Sequence, residues 1–410
     1  MRILCAADVH VGRCSSLVRD PGGQIIADFT ADFSALGAWE RLVEVAIAGH
    51  ADAVVIAGDF YDSLPAQYES RPRVRKTFER LRDRGIPALA VAGNHDHHAL
   101  RAFAESHKGL LHLFSESRWE AHDVAGIRFV GRSFGRETER ESLLGNFDLP
   151  PAGITIGLIH ADINAQSPYS PTPVELFRGK GVAGWVVGHV HAPRRYENET
   201  VVYPGSPQAL DWGETGSHGC CWLEIKNGQV RFLPVLPLST VEYHPVEIEL
   251  FPGDRLEAKV SEMARHRRLQ HGGLLSVQFR VALRLCGGAN PSDLADIGVD
   301  VPFNESDWYR LDSTVVVPQL DLKAEANQKD ARGQAARLLL GLGGAGDPDW
   351  QRAALDLVER VETEINAERG KLDLPAREEM DFLRQGKPGE ARQAVQRMLE
   401  RILTAEDGAQ

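Results

Sequence analysis

Eight side chains able to hold a divalent ion or move a proton stand just after short apolar runs in the first half of the chain. They are Asp8, His10, Asp59, Asn94, His95, His160, His189 and His191. Carboxylates, imidazoles and one amide form a mixed oxygen and nitrogen donor set. Such a set suits borderline ions such as Mn, Fe or Zn better than an all-oxygen Mg or Ca cage. One open catalytic ion needs fewer ligands than this. Two ions about 3.5–4 Å apart, sharing one carboxylate, would use nearly all of them. A pair of that kind clamps a phosphate, lowers the pKa of a water between the ions and offsets charge on the leaving oxygen. A histidine beside it can serve the leaving group. In Asp8-Val9-His10 alternate residues of an extended segment project to one side, so both can face one ion, and His189 and His191 share that spacing. A single such pair would be an ordinary surface turn. Five strand ends closing in this way point to a site.

These residues need strands to position them, and the chain supplies them. Ile3–Ala7, Ala53–Ala57, Ala88–Ala92, Ile154–Ile159 and Trp185–Val187 are short apolar runs of the kind that form buried parallel strands. Each delivers its polar residues to a carboxyl end, the edge where open α/β sheets bind ligands. Helical spacing runs from about Ala31 to Ala48 through Phe33, Leu36, Trp39, Leu42, Val43 and Ala46. A basic helix is expected over Arg71–Arg84, with Pro72 in its first turn. Gly126–Val130 and Val201–Tyr203 read as strands, and Asn227-Gly228 as the turn of a hairpin joining Gly219–Ile225 to Gln229–Val235. Residues 1–245 therefore read as a layered α/β domain. The pattern changes near Pro245. Strand-like Val246–Leu250, a helix with Arg265, Arg267 and Arg268, and an alternating run over Leu274–Leu285 suggest a small α+β domain over 246–320. Residues 321–410, rich in Ala, Arg, Glu and Leu, read as a helical region able to dock a partner or pack on its own domain.

Bulk properties narrow the class. The 410 residues are 43% hydrophobic and 25% charged, which is ordinary for a globular protein. The opening Met1-Arg2-Ile3-Leu4 enters a strand at once and leaves no room for a signal peptide. No apolar run approaches the length of a membrane span. Five cysteines without metal-finger spacing suit reduced thiols, so a cytoplasmic location is expected. A net charge of −12 argues against coating nucleic acid by charge alone, but carboxylates that hold ions regain positive charge where it matters.

Asp8-Val9-His10, Gly58-Asp59-Phe60-Tyr61-Asp62, Gly93-Asn94-His95-Asp96, His160 and Gly188-His189-Val190-His191 resemble, in order, the motif blocks of the calcineurin-like metallophosphoesterases. Within that superfamily the chain is similar to the SbcD-type DNA repair exonucleases, nearest their YhaO-like branch, and Tyr203-Pro204-Gly205-Ser206-Pro207 is similar to a further block of theirs. The resemblance implies a four-layer β-sandwich flanked by helices, with a capping domain that binds DNA. It implies one ion on Asp8, His10 and His191, and another on Asn94, His160 and His189, with Asp59 bridging. His95 would act at the leaving oxygen and Asp62 would orient it. Mn is the expected metal, with Fe, Zn or Mg as alternatives. The implied activity is a DNA exonuclease, with single-strand endonuclease action as an extension, in which a metal-bound hydroxide attacks phosphorus in line. The implied partners are DNA, a second copy of the chain and an SMC-like ATPase of the SbcC type, since this chain carries no Walker-type loop of its own.

The competing readings keep part of this. A small-substrate phosphodiesterase or phosphatase of the same fold would use the same motifs. A protein phosphatase is disfavoured, because Ser63 and Asp96 stand where those enzymes carry Arg and Glu. A DNA-end or ATPase-binding subunit would keep nuclease action as a secondary role. Arg71, Arg73, Arg75, Arg132 and Arg194 are candidate contacts to a phosphate backbone, although a charge run is more often a solvated face. His97 and His98 read as exposed loop residues, and Cys220-Cys221 as packing residues of one strand.

Overall fold

A computed structural model describes residues 1–16, 33–150, 152–251, 253–271, 275–286, 300–302, 307–316, 326–327 and 331–340. Two six-stranded sheets make its centre. The first contains β1 (Arg2–Ala6), β2 (Ala53–Ala57), β3 (Ala88–Val91), β4 (His112–Leu113), β11 (Gly219–Lys226) and β12 (Gln229–Pro237), in the order β12-β11-β1-β2-β3-β4. Strands β1 to β4 are parallel, and β11 runs antiparallel to both of its neighbours. The second sheet contains β5 (Glu120–Val124), β6 (Ile127–Arg132), β7 (Thr155–His160), β8 (Gly184–Gly188), β9 (Arg194–Tyr196) and β10 (Val201–Tyr203), in the order β5-β6-β7-β8-β10-β9. Its middle strands β6, β7, β8 and β10 are parallel.

The near-continuous apolar character of these strands follows from burial on both faces. In β1, Ile3 and Cys5 enter the core between the sheets, while Leu4 and Ala6 face a helical layer. In β2, Ala53, Val55 and Ala57 point inward, and Val54 and Ile56 outward. Phe129, Ile156, Leu158, Val186 and Val202 of the second sheet complete the inner core. The outer face of the first sheet is covered by α1 (Ala35–Ala48), α2 (Leu64–Asp83) and α3 (Ala99–Ser106), through Trp39, Leu42, Phe78, Leu81 and Phe103. The outer face of the second sheet is covered by a thinner layer, which includes two 3-10 turns at Leu143–Asn146 and Val174–Phe177. This is the mixed α/β sandwich that the sequence implies.

Four boundaries differ from the sequence reading. Helix α1 begins at Ala35 and leaves Phe33 outside it, because the Ser34 side chain caps it by accepting the Gly37 N–H at 2.9 Å. Helix α2 begins at Leu64, seven residues before Arg71, because the Ser63 hydroxyl accepts the Ala66 N–H at 3.4 Å and Pro65 lies in the first turn. Pro72 is therefore inside the helix. The lost backbone bond is outweighed by burial of Val74, Phe78 and Leu81 in one core with Trp39 of α1. Gly126 is not in a strand. Ala125 and Gly126, with φ of 49° and 82°, form the two-residue turn between β5 and β6. The boundary expected at 245/246 falls inside β13 (Val241–Leu250). Pro245 is tolerated there because β13 is the edge strand of a third sheet, ordered β13-β14-β16-β15, with β14 (Ser276–Leu285), β15 (Asp300–Pro302) and β16 (Trp308–Val316).

The chain forms two compact units. One comprises Met1–Glu247, Leu256–Ala282 and Ile297–Asp312, and includes α4 (Leu256–His271). The other comprises Ile248–Arg255, Leu283–Asp296 and Ser313–Gln410, and includes α5 (Ala331–Leu340). Apart from α5 and residues 326–327, the helical region expected over 321–410 lies outside the described residues. No described helix is long and apolar enough to cross a membrane.

Candidate metal centre

The carboxyl ends of β1, β2, β3, β7 and β8 converge. After β1 and β2 the two chains leave side by side: Asp8 N–H donates to Gly58 O at 3.1 Å, His10 N–H to Asp59 O at 3.0 Å and Val11 N–H to Phe60 O at 2.8 Å. Four site residues at these strand ends take left-handed backbone: Asp8 at φ 50°, His10 at 52° and Asp59 at 51° along this path, and His189 at 101° after β8. Residues with side chains hold that conformation only where their surroundings over-determine it, and such positions gather at functional sites.

Both carboxylates are held in the same way. Asp8 Oδ1 accepts the His189 N–H at 2.8 Å, and Asp59 Oδ1 accepts the His95 N–H at 2.9 Å. Each then has one oxygen left over. Asp8 Oδ2 is buried without a hydrogen-bond partner. Asp59 Oδ2 lies 3.9 Å from His10 Nε2 and 3.4 Å from His160 Nε2, between the two imidazoles. His10 Nε2 and His191 Nε2 lie 3.1 Å apart. On the other side, His160 Nε2 is 3.0 Å from Asn94 Oδ1, while its Nδ1 reaches the Ala57 carbonyl at 3.0 Å. That second bond places the proton on Nδ1 and leaves Nε2 as a lone-pair donor. Among the described residues, Asp8, His10 and His191 form one group of mutually close ligand atoms, and Asp8, Asp59 and His160 another. A buried orphan carboxylate oxygen and imidazole nitrogens gathered about common points fit divalent ions.

Charges respond to this crowding. Burial pushes Asp8 up to about 6, with Asp59 adding to the rise and His191 and His10 opposing it. Burial would also raise Asp59, but His160, His10 and His95 hold it below the usual carboxylate range. Burial lowers His160 and His189. His191 moves the other way, to about 9: burial opposes its charge, but the Glu214 carboxylate, Asp8 and Asp59 favour it more.

His189 belongs to neither group of close ligand atoms, but its ring packs edge-on against His160 with centroids 5.3 Å apart, while its Nε2 lies 3.5 Å from Asp162 Oδ2 and its ring 5.0 Å from Tyr169. His95 is exposed, and its Nδ1 meets the backbone carbonyl of Asp62 at 3.2 Å. The Asp62 carboxylate lies 3.3 Å from His10 Nδ1 instead. Asp62 thus holds His95 through its main chain, and the proton on Nδ1 leaves Nε2 of His95 free to act. Of the cationic candidates, Arg73 is bound by both oxygens of Glu40, and Arg75 lies 3.7 Å from Glu79. Arg71 stacks over Tyr68 at 5.2 Å, Arg132 donates to the Glu116 carbonyl at 3.3 Å, and Arg194 is exposed on β9.

Three supporting residues lie outside the predicted set of ligands and catalytic groups. Glu214 Oε1 meets His191 Nδ1 at 2.5 Å, while its Oε2 accepts from Leu210 N–H at 2.9 Å and Ser206 Oγ at 3.1 Å. Asp96 is buried and ties two strand ends together, accepting from Gly93 N–H at 2.8 Å, Phe60 N–H at 2.7 Å and Tyr61 N–H at 3.3 Å. Asp162 is the partner of His189. Only Asp96, inside a motif block, carried any sequence signal.

Comparison with known proteins agrees with this geometry. The uncharacterized metallophosphoesterase YhaO of Bacillus subtilis is 26% identical over 47% of this chain and 50% of its own length. The DNA double-strand break repair protein Mre11 of Methanopyrus kandleri is 24% identical over 73% of this chain and 68% of that protein. The SbcD component of the nuclease SbcCD from Staphylococcus saprophyticus is 22% identical over 66% and 78% respectively. The chain thus spans half the length of the first of these relatives and about two thirds or more of the other two. Residues 1–193, which carry every strand end of the site, match the calcineurin-like phosphoesterase family model.

Proposed function

We propose that this chain is a two-metal phosphodiesterase that cuts DNA, acting as an exonuclease and at single-stranded structures. The observation that carries the reading is the paired carboxylates: each has one oxygen fixed by a backbone N–H, and the other is left among imidazoles at the sheet edge. Asp8, His10 and His191 would hold one ion, Asn94, His160 and His189 the other, and Asp59 would join them. Bound there, a pair of divalent ions, Mn by preference, supplies Lewis-acid polarisation of the phosphate and activation of water at neutral pH. The chain supplies the rest. The backbone N–H groups of His95 and His189 fix the carboxylates. Glu214 fixes the His191 ring. His95, held at Nδ1 by the Asp62 carbonyl, presents Nε2 to the departing sugar oxygen and stabilises or protonates it.

DNA is favoured over a small ester by the names of two relatives, a double-strand break repair protein and a component of a nuclease. The second name, a subunit of SbcCD, also supports a partner for this chain, an SMC-like ATPase of the SbcC type; a homodimer in the cytoplasm completes the proposal. The test is hydrolysis by the purified chain with Mn, on end-labelled linear DNA and on bis-p-nitrophenyl phosphate, beside His95→Ala and Asp59→Ala. Cleavage of both substrates, lost in both variants, is the expected result. Cleavage of the small ester alone, unchanged when the ATPase partner is added, would assign the site to a small substrate.

A further inference from the structure

Behind the metal centre a chain of buried polar groups runs from His191 to the first sheet. Glu214 Oε1 meets His191 Nδ1 at 2.5 Å, and its Oε2 is 3.1 Å from Ser206 Oγ. Ser206 Oγ is in turn 2.9 Å from His218 Nδ1. Ser206 and His218 are fully buried, and Glu214 is buried beside them. Ser206 is also tied to the main chain of the ligand itself, since its N–H donates to the His191 carbonyl at 2.9 Å. His218 is the fixed end of this chain. It stands immediately before β11, and its carbonyl accepts the Leu238 N–H at 2.9 Å and the Ser239 N–H at 3.1 Å, just beyond β12.

The hydrogens along it can be placed by chemistry. The Ser206 carbonyl lies 3.3 Å from His218 Nδ1, and a carbonyl oxygen only accepts, so Nδ1 carries the ring proton. His218 Nε2 is buried without a hydrogen-bond partner among the described residues, so the other tautomer would also strand an N–H there. With Nδ1–H donating to Ser206 Oγ, the single hydroxyl proton of Ser206 is directed to Glu214 Oε2. That oxygen also accepts the Leu210 N–H at 2.9 Å and is thus held by two donors. Oε1 is left for His191 Nδ1, and the ring is turned so that its Nε2 stands 3.1 Å from His10 Nε2, in the ligand group with Asp8. Without the His218 donor the hydroxyl is free to rotate, and Glu214 loses one of its two anchors.

We propose that His218 is a positioning residue for the metal ligand His191, acting through Ser206 and Glu214 and fixing the ring to the first sheet. The proposal rests on the reading of His191 as a ligand. Groups that touch no ion set metal affinity in this way when they hold a ligating imidazole in one tautomer and one orientation.

The test is a double-mutant cycle on Mn affinity, measured by calorimetry with the full chain. His218→Ala should weaken Mn binding about fivefold, the factor that one ordinary hydrogen bond carries. Ser206→Ala should do the same. His218→Asn, whose amide can donate from the place of Nδ1, should bind within about twofold of wild type. In a Glu214→Ala background His218→Ala should cost no further affinity, because the path to His191 is already broken. Urea unfolding in chelator shows that each variant is folded. Wild-type affinity in Glu214→Ala would remove His191 from the metal centre, and with it the reading on which the proposal rests. A weakened Glu214→Ala beside an unchanged His218→Ala or Ser206→Ala would overturn the proposal alone. So would a loss from His218→Ala of the same size in both backgrounds, the mark of a packing defect that reaches the site by another route. Ser206→Ala removes a single oxygen atom and answers the question if His218→Ala does not fold.

Discussion

Glu214 shows how much of this centre rests on groups that would touch no metal. Its two oxygens are shared between His191 and the loop that carries Ser206 and Leu210, so removing it frees the ring and leaves buried donors unpaired. Glu214→Ala is expected to weaken Mn binding about 10- to 100-fold, the usual effect of losing such a partner. Glu214→Gln, which keeps the hydrogen bond and drops the charge, should recover part of the loss. Calorimetry with Mn measures both, and equal affinity in wild type and Glu214→Ala would refute the assignment. The same contact sets a pH dependence. Without metal, His191 keeps its proton up to about pH 9, and an ion must displace it. Apparent Mn affinity should therefore rise with pH below 9, about tenfold per unit for each proton displaced. Titrations in buffers of different ionisation enthalpy count the released protons. Affinity that is flat between pH 6 and 8 would show that His191 binds no ion.

At the scale of elements, the site depends on two sheets meeting with almost no clearance. Gly188 closes β8 opposite the end of β2, where an added Cβ would fall inside the van der Waals radius of the Ala57 carbonyl oxygen and against His160 Nδ1. Gly188→Ala should therefore push the sheet edges apart and displace His160. A loss of roughly 1–3 kcal/mol is expected from overpacking, together with weakened Mn binding. Urea unfolding with and without Mn checks it. A variant as stable as wild type would mean that the edge is looser than it looks. The strand ends themselves could be read from sequence, because burial on both faces leaves an unbroken apolar run that stops at a polar residue. Other features had no such local trace. The start of α2 is set by one serine hydroxyl, and Pro72 is tolerated through burial against α1. Pro245 survives in a strand only because that strand lies at an edge. Glu214 reaches His191 across 23 residues and Asp96 reaches Phe60 across 36, and no local periodicity records pairings of that range.

Taken whole, an acidic molecule has to approach a polyanion. With a net charge of −12, and Arg73, Arg80 and Arg82 each paired with a carboxylate, the long-range field does little to hold DNA. In the proposed reading attraction has to come from ions in the centre and from cations not held by a carboxylate, Arg71 and Arg194 being the candidates. Two consequences can be measured with His95→Ala, which should bind without cutting. Affinity for a short labelled duplex should fall at least about tenfold when Mn is removed by chelation, because the carboxylates then repel the phosphate. Affinity should also fall only gently with salt. Each phosphate neutralised on B-DNA contributes a slope of about −0.9 in log K against log salt, so a total shallower than about −4 is expected. A slope near −8 that persists in chelator would point instead to a broad basic surface, and the arginines of α2 would have to leave their carboxylate partners to form it.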